Sequence, residues 1–328
     1  MLKYVIKRIL MLIPVMLGVI VIVFVLKAVT PGDPIDQILG ADATEEQREA
    51  KREELGLNDP LIVQFGNYLW GIITRGDLGT SYKSNQPVLT ELLTRFPVTI
   101  ILALGSVLLG ILLGIPLGVI SATKQYSWAD SSILVVSMAA VSMPSFWLAL
   151  LCILLFAVKL NWLPASGIES PLGWILPICV VGLNTMSGIT RITRSSMLEV
   201  IRQDYVRTAR AKGQKERVIV VHHALRSALI PIIANIGNQI GVQLGGALTI
   251  EAVFGLPGIG QYVVSAIGAR NFPAVQGGVI ILAFTFTIVN LLVDLAYTVV
   301  DPRMKAEFSS SKPKRKVMLQ AEEGAVNG

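Results

Sequence analysis

The chain has 328 residues, of which 53% are hydrophobic and 15% are charged, with a formal net charge of +6. Soluble domains carry about 25% charged residues, so this composition argues against a soluble protein. The basic residues lack the interleaved aromatic side chains of a base-stacking surface. We therefore read the positive charge as a signal of membrane topology and expect no nucleic-acid partner.

Six apolar runs, each of about 18 residues or more, predict six membrane-spanning helices. In chain order they cover 9–26, 98–123, 131–158, 171–189, 229–250 and 272–293. The first run has the basic start of a cleaved signal peptide, but it is longer than such segments and no small-x-small cleavage site follows. We therefore predict a retained first helix over 1–29 that stops at the Pro31-Gly32-Asp33-Pro34 segment.

The distribution of Lys and Arg predicts that both termini face the cytoplasm. The segment 191–226 holds nine basic and three acidic residues, whereas 31–96 holds eleven acidic and six basic residues. An even number of spans puts both ends of the chain on one side. The acidic segment 30–97 is therefore predicted to be an extracytoplasmic loop, and 191–228 a cytoplasmic one.

The first loop contains signals of folded structure. Thr44 and Gln47 have the spacing of a capping box that opens a helix, and Gly56 can close it. Apolar residues at helical spacing over 62–72 predict a second helix, which either lies at the membrane interface or packs on its own domain. Pro97 is expected to open the second span.

Two spans carry small residues every fourth position, a pattern that lets helix backbones approach closely. One set is Gly110, Gly114 and Gly118, and the other is Gly237, Gly241 and Gly245. We expect both sets to mark tight helix pairs.

The fifth span also carries four amide side chains, which are costly in lipid and should face protein or water. They are Asn235, Asn238, Gln239 and Gln243. They either line a translocation path or make hydrogen bonds between helices. Two acids in the late spans, Glu251 and Asp294, are expected to have structural roles, because no chain of acids crosses the membrane as a proton relay requires.

Patterns of catalysis and of metal binding are missing from the sequence. It has no GxxxxGK[ST] phosphate loop, no GxSxG motif and no HExxH motif. His222 and His223 are adjacent and cannot share a helix face, and Cys152 and Cys179 read as apolar filler within spans. We predict no catalytic residue, no metal and no cofactor, so ATP could energise this chain only through another subunit.

The basic segment after the fourth span predicts a short surface helix, with Asp204 as its N-cap and Gly213 just past its end. Such a rigid element at the cytoplasmic mouth of a membrane protein suits the docking of a soluble partner better than it suits chemistry.

This segment resembles the EAA loop of bacterial ATP-binding-cassette importer permeases, in their dipeptide/oligopeptide/nickel branch. Arg207-Thr208-Ala209 stands where the wider family has Glu-Ala-Ala, Gly213 matches the family glycine, and 228–231 matches the closing hydrophobic-proline end. The segments 30–34, 163–167, 251–260 and 301–303 also fit. The resemblance runs from residue 1 to about residue 305.

The resemblance implies an all-α, type I importer transmembrane domain of six helices with a cytoplasmic coupling helix, in a permease core over 98–305. It implies a bacterial plasma membrane location, a second homologous permease subunit, two ATPase subunits and an extracytoplasmic substrate-binding protein. The implied ATPase-coupling residues are Asp204, Tyr205, Val206, Arg207, Ala209, Arg210, Lys212 and Gly213.

The resemblance further implies import of di- or oligopeptides, with nickel chelates, glutathione or another small solute as alternatives within the same class. An ion-coupled secondary transporter is the alternative class, but such proteins show internal repeats and broken, charged helices, which this sequence lacks. The tail over 306–328, rich in Ser, Lys and Glu, is expected to be disordered.

Overall fold

The computed structural model describes residues 2–30, 34–40 and 43–300, and over these residues the chain is almost entirely helical. The tail for which we predicted disorder lies outside the described residues. An isolated antiparallel bridge joins Thr80 to Pro87 in the connection between the fourth and fifth helices. The α-helices are α1 (Leu2–Val29), α2 (Pro34–Leu39), α3 (Glu45–Glu54), α4 (Leu61–Arg75), α5 (Val88–Thr123), α6 (Trp128–Ser142), α7 (Ser145–Cys152), α8 (Ile175–Ile201), α9 (Asp204–Ala211), α10 (Glu216–Val218), α11 (Arg226–Gly246), α12 (Leu248–Val253), α13 (Ile259–Gly268) and α14 (Phe272–Val300).

Three shorter helical pieces extend these elements. The π-helix Ile153–Lys159 continues α7, the 3₁₀ turn Pro171–Trp174 leads into α8, and the π-helix Ile219–Leu225 joins α10 to α11. The segment from Glu216 to Gly246 is therefore one continuous rod with a wide turn near its start. Such π-type turns are rare and are often found at functional sites.

Among the residues that the structure describes, five helices are long and apolar enough to cross a membrane, and the number is six if one bent pair counts as a single span. The bent pair is the third predicted span, over 131–158. Its chain bends by 100° between Ser142 and Ser145. Pro144 explains the break, because proline has no N–H for the helix and disfavours helical geometry in the residue before it.

The second span also begins earlier than predicted. We expected Pro97 to open it, but α5 starts at Val88 and contains both Pro97 and Pro116. The carbonyl that Pro97 leaves without a helical partner belongs to Leu93, an exposed residue near the helix start, where water can satisfy it. The first turns of α5 therefore project beyond the apolar run and carry polar side chains.

The packing predicted for the first glycine set is confirmed. α5 and α8 form the most extensive helix pair, with Gly110, Gly114 and Gly118 directly against α8. A Cβ atom added at Gly110 would lie 3.2 Å from the backbone nitrogen of Met186. The two backbones are thus in direct contact, as small residues permit.

The second glycine set is confirmed only in part. Gly237 and Gly241 lie against α14, where an added Cβ would meet Val293 and Phe286 at 2.2 and 3.0 Å. Gly245 has no neighbouring atom within 4 Å of that position. The sequence spacing is the same in both sets, so the spacing alone does not decide how many of its glycines reach a partner helix.

The first loop is folded as its capping signals predicted. Thr44 and Gln47 form the reciprocal capping box of α3, and Gly56 adopts φ +63 just past its end. For α4, packing on the chain's own domain is observed on one face, where Phe65, Leu69 and Ile72 contact the core. The opposite face keeps apolar side chains exposed, among them Trp70.

Over the residues that the structure describes, many large apolar side chains are exposed, as expected for a helix bundle that faces lipid. Leu108, Leu112 and Ile22 are each more than half exposed, although they lie in the middle of apolar helices. α1 packs along α14, with Val23 and Phe24 buried. The first helix is therefore part of the bundle core on one side and available to lipid on the other.

Candidate functional site

α9 is the short helix predicted to dock a partner, and its two ends are built differently. Asp204 was predicted as its N-cap, which is wrong by one residue. Gln203 occupies that position, with extended backbone and no side-chain capping bond, and Asp204 is the first helical residue. A carboxylate in the first turn is still favourable, because it lies near the positive end of the helix dipole.

The C-terminal end of α9 is confirmed as predicted. Gly213 adopts φ +74, in the left-handed region where glycine pays no penalty for a Cβ. Its N–H donates to the Arg210 carbonyl at 2.9 Å, and the Gln214 N–H donates to the Ala209 carbonyl at 3.4 Å. These two bonds are the pattern of a Schellman motif, which fixes the point at which the chain leaves the helix.

The apolar face of α9 is turned toward the permease itself. Val206 and Ala209, three residues apart, are buried against Ile219 at the start of the π-helix and Val200 near the end of α8. Both residues are among the implied ATPase-coupling residues, and within this chain their buried side chains hold α9 against the bundle.

Arg210 is also engaged within the chain. Its Nη2 lies 2.6 Å from Glu216 Oε1 and its Nε lies 3.2 Å from Oε2, a two-pronged ion pair that closes the turn between α9 and α10. Arg210 is one of the implied ATPase-coupling residues, and its guanidinium already has a carboxylate partner within the chain. The hydrogen bonds to Glu216 raise the pKa of Arg210 further above its already high value.

The remaining predicted coupling residues form the outward surface of the segment. Tyr205, Arg207 and Lys212 are exposed, together with Asp204 and Gly213. Within the described part of the chain, Arg207 and Lys212 have no ion pair. The surface thus offers one aromatic ring and two free cations at the end of a rigid element.

The four amides of α11 do not share one environment. Gln243 donates to Thr185 Oγ1 of α8 at 2.6 Å, and Gln239 lies against Gly188 of the same helix. Asn235 is on that face too, and its buried Oδ1 has no partner among the described residues. Asn238 alone is exposed. Of the two predicted roles, hydrogen bonding between helices is therefore observed for Gln243.

A buried ion pair, which the sequence reasoning missed, joins three helices near the predicted cytoplasmic end. Asp130, at the start of α6, is 2% exposed and accepts two bonds of 2.8 Å from the Arg194 guanidinium of α8. Ser121 of α5 donates to the same carboxylate, and the Tyr126 N–H donates to it at 3.0 Å. The only sequence signal was the position of each charge beside an apolar run, which does not reveal a partner 64 residues away.

Glu251 has the structural role that was expected of it. Its carboxylate is fully buried and accepts from Thr99 Oγ1 of α5 at 2.7 Å and from the Gln261 N–H at 3.1 Å. Gln261 is in the first turn of α13, so Glu251 caps that helix from α12. A Cβ added at Gly258 would lie 2.2 Å from this carboxylate, which explains the glycine there. The side chain of Asp294 lies outside the described residues.

The described residues contain no group of three His, Cys, Asp or Glu side chains that could hold a metal ion. Cys152 and Cys179 are free thiols, each partly buried. His223 Nε2 lies 2.8 Å from Gln214 Oε1 beside the α9 turn, while His222 is exposed. The features that stand out are therefore the exposed outer face of α9 and the polar contacts that join helices.

Comparison with known proteins gives consistent results. A family model described as "Binding-protein-dependent transport system inner membrane component" matches residues 114–306, and the model of that family's N-terminal region matches residues 1–103. A protein of Brucella abortus, provisionally named a permease of a peptide transport system, is 43% identical over 92% of this chain and 98% of its own length.

Two further similarities bear on function and fold. A dipeptide transport system permease of Alkalihalophilus pseudofirmus is 40% identical over 93% of this chain and all of its own length, and a glutathione transport system permease of Pectobacterium atrosepticum is 39% identical over 93% and 99%. An inward-facing structure of the MetNI methionine ABC transporter matches 65% of this chain and 97% of its own, with a TM-score of 0.55 at 17% identity. The fold is that of a type I importer transmembrane subunit, and the chain belongs to the family of binding-protein-dependent transport system inner membrane components, multi-pass proteins of the inner membrane.

Proposed function

We propose that this chain is one of two homologous permease subunits of an importer that carries di- or oligopeptides inward by alternating access. Two ATPase subunits bind on the cytoplasmic side and hydrolyse ATP, and an extracytoplasmic binding protein delivers the substrate. The peptide and dipeptide permeases at 40% identity or more support this substrate class.

The proposal rests on the observation that α9 has two different faces. Its apolar face packs against α8 and against the π-helix that leads into α11, while Tyr205, Arg207 and Lys212 are exposed on the outer face. A helix of eight residues is about 12 Å long and behaves as a stiff element. A displacement applied to the outer face is therefore transmitted to two membrane helices at once.

Docking on this surface rests mainly on Tyr205, because exposed ion pairs contribute little to binding. A half-exposed aromatic ring at the centre of a small contact is a typical anchor residue. Arg207 and Lys212 would set the orientation and the rate of encounter with an acidic groove.

The test uses the reconstituted importer with its ATPase subunits. We expect Tyr205→Ala combined with Arg207→Glu to release the ATPase subunits during purification and to abolish ATP-driven uptake. The matched control is Arg217→Glu, which makes the same charge change at an exposed position of α10. Normal co-purification and uptake in the double variant would contradict the proposal, and so would uptake driven by an ion gradient without ATP.

Glutathione is the second candidate substrate, because the Pectobacterium atrosepticum relative is named as a glutathione permease. Competition in proteoliposomes separates the two. If a mixture of dipeptides fails to inhibit uptake of labelled glutathione, and labelled dipeptides are not taken up, the glutathione function replaces the peptide function.

A further inference from the structure

A polar cavity of about 400 Å³ lies on the predicted extracytoplasmic side, away from both α9 and the amides of α11. It is enclosed by three parts of the chain: the turn after α4, the first two turns of α5, and α13 with the connection that follows it. The early start of α5 creates its inner wall, because Glu91 and Arg95 occupy turns that project beyond the apolar run.

The carboxylate of the cavity is held in place. Tyr262 of α13 donates from its hydroxyl to Glu91 Oε2 at 2.6 Å, which leaves Oε1 available. Burial raises the pKa of Tyr262, and the hydrogen bond to Glu91 raises it further, so the phenol remains a donor. At the base of the cavity, Asn271 donates to Ser81 Oγ at 2.8 Å and accepts from the Tyr82 N–H at 3.1 Å. These two bonds tie the turn after α4 to the connection after α13.

The Arg95 guanidinium also lines the cavity, but unlike the Glu91 carboxylate it has no hydrogen-bond partner among the described residues. Arg95 has its Cζ 4.9 Å from the centre of the Tyr262 ring, and its Nε is buried without a hydrogen bond. Within the described part of the chain it forms no ion pair, although Glu91 is one turn away on the same helix. A buried N–H group without an acceptor is costly, and a planar guanidinium matches a carboxylate through two parallel bonds.

The backbone positions that carry the two charges are one helical turn apart, an offset comparable to the length of a short peptide. Four residues of helix offset Glu91 from Arg95 by about 6 Å along the axis. An extended dipeptide spans roughly 7 Å. Lys83 at the rim adds a second cation, so the cavity favours the carboxylate end of a ligand. An acidic side chain of a partner protein would use the cations but would be repelled by Glu91.

We propose that this cavity binds the two termini of a dipeptide, with the carboxylate on Arg95 and the ammonium group on Glu91 Oε1, as substrate passes from the binding protein into the permease. The inference rests on the proposed peptide function and adds a site in the permease itself.

The experiment measures binding of radiolabelled alanyl-alanine to the purified permease–ATPase complex without the binding protein. We expect saturable binding that weakens about tenfold or more in Arg95→Gln, from the loss of a charge-assisted contact. C-terminal amidation of the dipeptide should have the same effect, and Glu91→Gln or N-acetylation should also weaken binding. Arg95→Lys, which keeps the charge but not the planar fork, should fall between.

The matched control is Arg75→Gln, an exposed cation at the end of α4 that lies outside the cavity and should leave binding unchanged. Equal binding by Arg95→Gln and wild type, or no saturable binding, overturns the site. If Arg95→Gln instead weakens docking of the peptide-free binding protein and spares dipeptide binding, the cavity receives that protein's side chain and the proposal is wrong.

Uptake by the complete importer separates this site from the proposed function. If labelled dipeptides enter proteoliposomes while Arg95 has no effect on binding, only the site fails. If dipeptides do not enter at all, the peptide function fails.

Discussion

Replacing Gly118 by alanine perturbs the contact between α5 and α8 at its closest point. The added Cβ would lie 2.5 Å from Thr193 Cβ and 2.8 Å from the Thr190 carbonyl oxygen. Both distances are well inside the contact distance of about 3.5 Å for carbon atoms. Because one of these neighbours is the backbone of α8, no side-chain rotation relieves the clash and the helices must move apart.

The expected cost follows from two opposing effects. Forcing an extra methyl group into a packed contact costs about 1–3 kcal/mol. Alanine recovers about 1 kcal/mol because it is a better helix former than glycine. We therefore expect a net loss of up to about 2 kcal/mol, a factor of up to roughly 30 in the folded-to-unfolded ratio. Unfolding of the purified chain in mixed micelles, followed by circular dichroism, measures this change.

The control is Gly18→Ala in α1, where no atom lies within 4 Å of the added Cβ. This variant should be neutral or slightly stabilising. If both variants shift the unfolding midpoint by the same amount, the effect comes from helix propensity or from lipid. The close contact between α5 and α8 would then have no energetic weight.

Three further outcomes are expected. Arg194→Met should destabilise the chain by about 3 kcal/mol, because it leaves the buried Asp130 carboxylate without its cationic partner, and adding Asp130→Asn should restore part of the loss in the same unfolding assay. Gly213→Val should uncouple ATP hydrolysis from uptake, because a branched residue is strained at φ +74. Gly213→Asn should stay coupled, because asparagine tolerates that region. Equal coupling in both variants would show that the Schellman turn is dispensable. If Asn238 lines the translocation path, Asn238→Leu should alter uptake kinetics without lowering thermal stability, and a stability loss with unchanged uptake would remove it from the path.

The sequence predicts helices and their ends well where the signal is local. The capping box at Thr44 and the turn at Gly213 each depend on residues within a few positions of one another. The break near Pro144 shows the limit of a composition signal. The run 131–158 is apolar throughout, so its hydrophobicity predicts one span, while the proline changes the path of the backbone.

Roles that depend on contacts distant in sequence could not be predicted in the same way. The segment 204–213 was correctly predicted to form a surface helix, but the direction of each side chain depends on what lies beneath it. Val206 is buried because Ile219 reaches it after the chain has turned back. Arg210 is paired because that same turn brings Glu216 within 2.6 Å. A residue's type shows that it can contact a partner, and the turn decides which partner it contacts.

The packing of α9 against α8 and against the π-helix before α11 limits how the proposed importer can transmit force. The inner side of α9 is held by apolar packing, because Val206 and Ala209 contact both Val200 of α8 and Ile219 in the π-helix before α11. A rotation of α9 alone would expose these side chains, at a cost of about 25 cal/mol for each Å² of apolar surface. The favoured motion therefore carries the ends of α8 and α11 together with α9. Because α8 packs closely against α5 at Gly118, a motion of α8 has to move α5 and α8 together as one body.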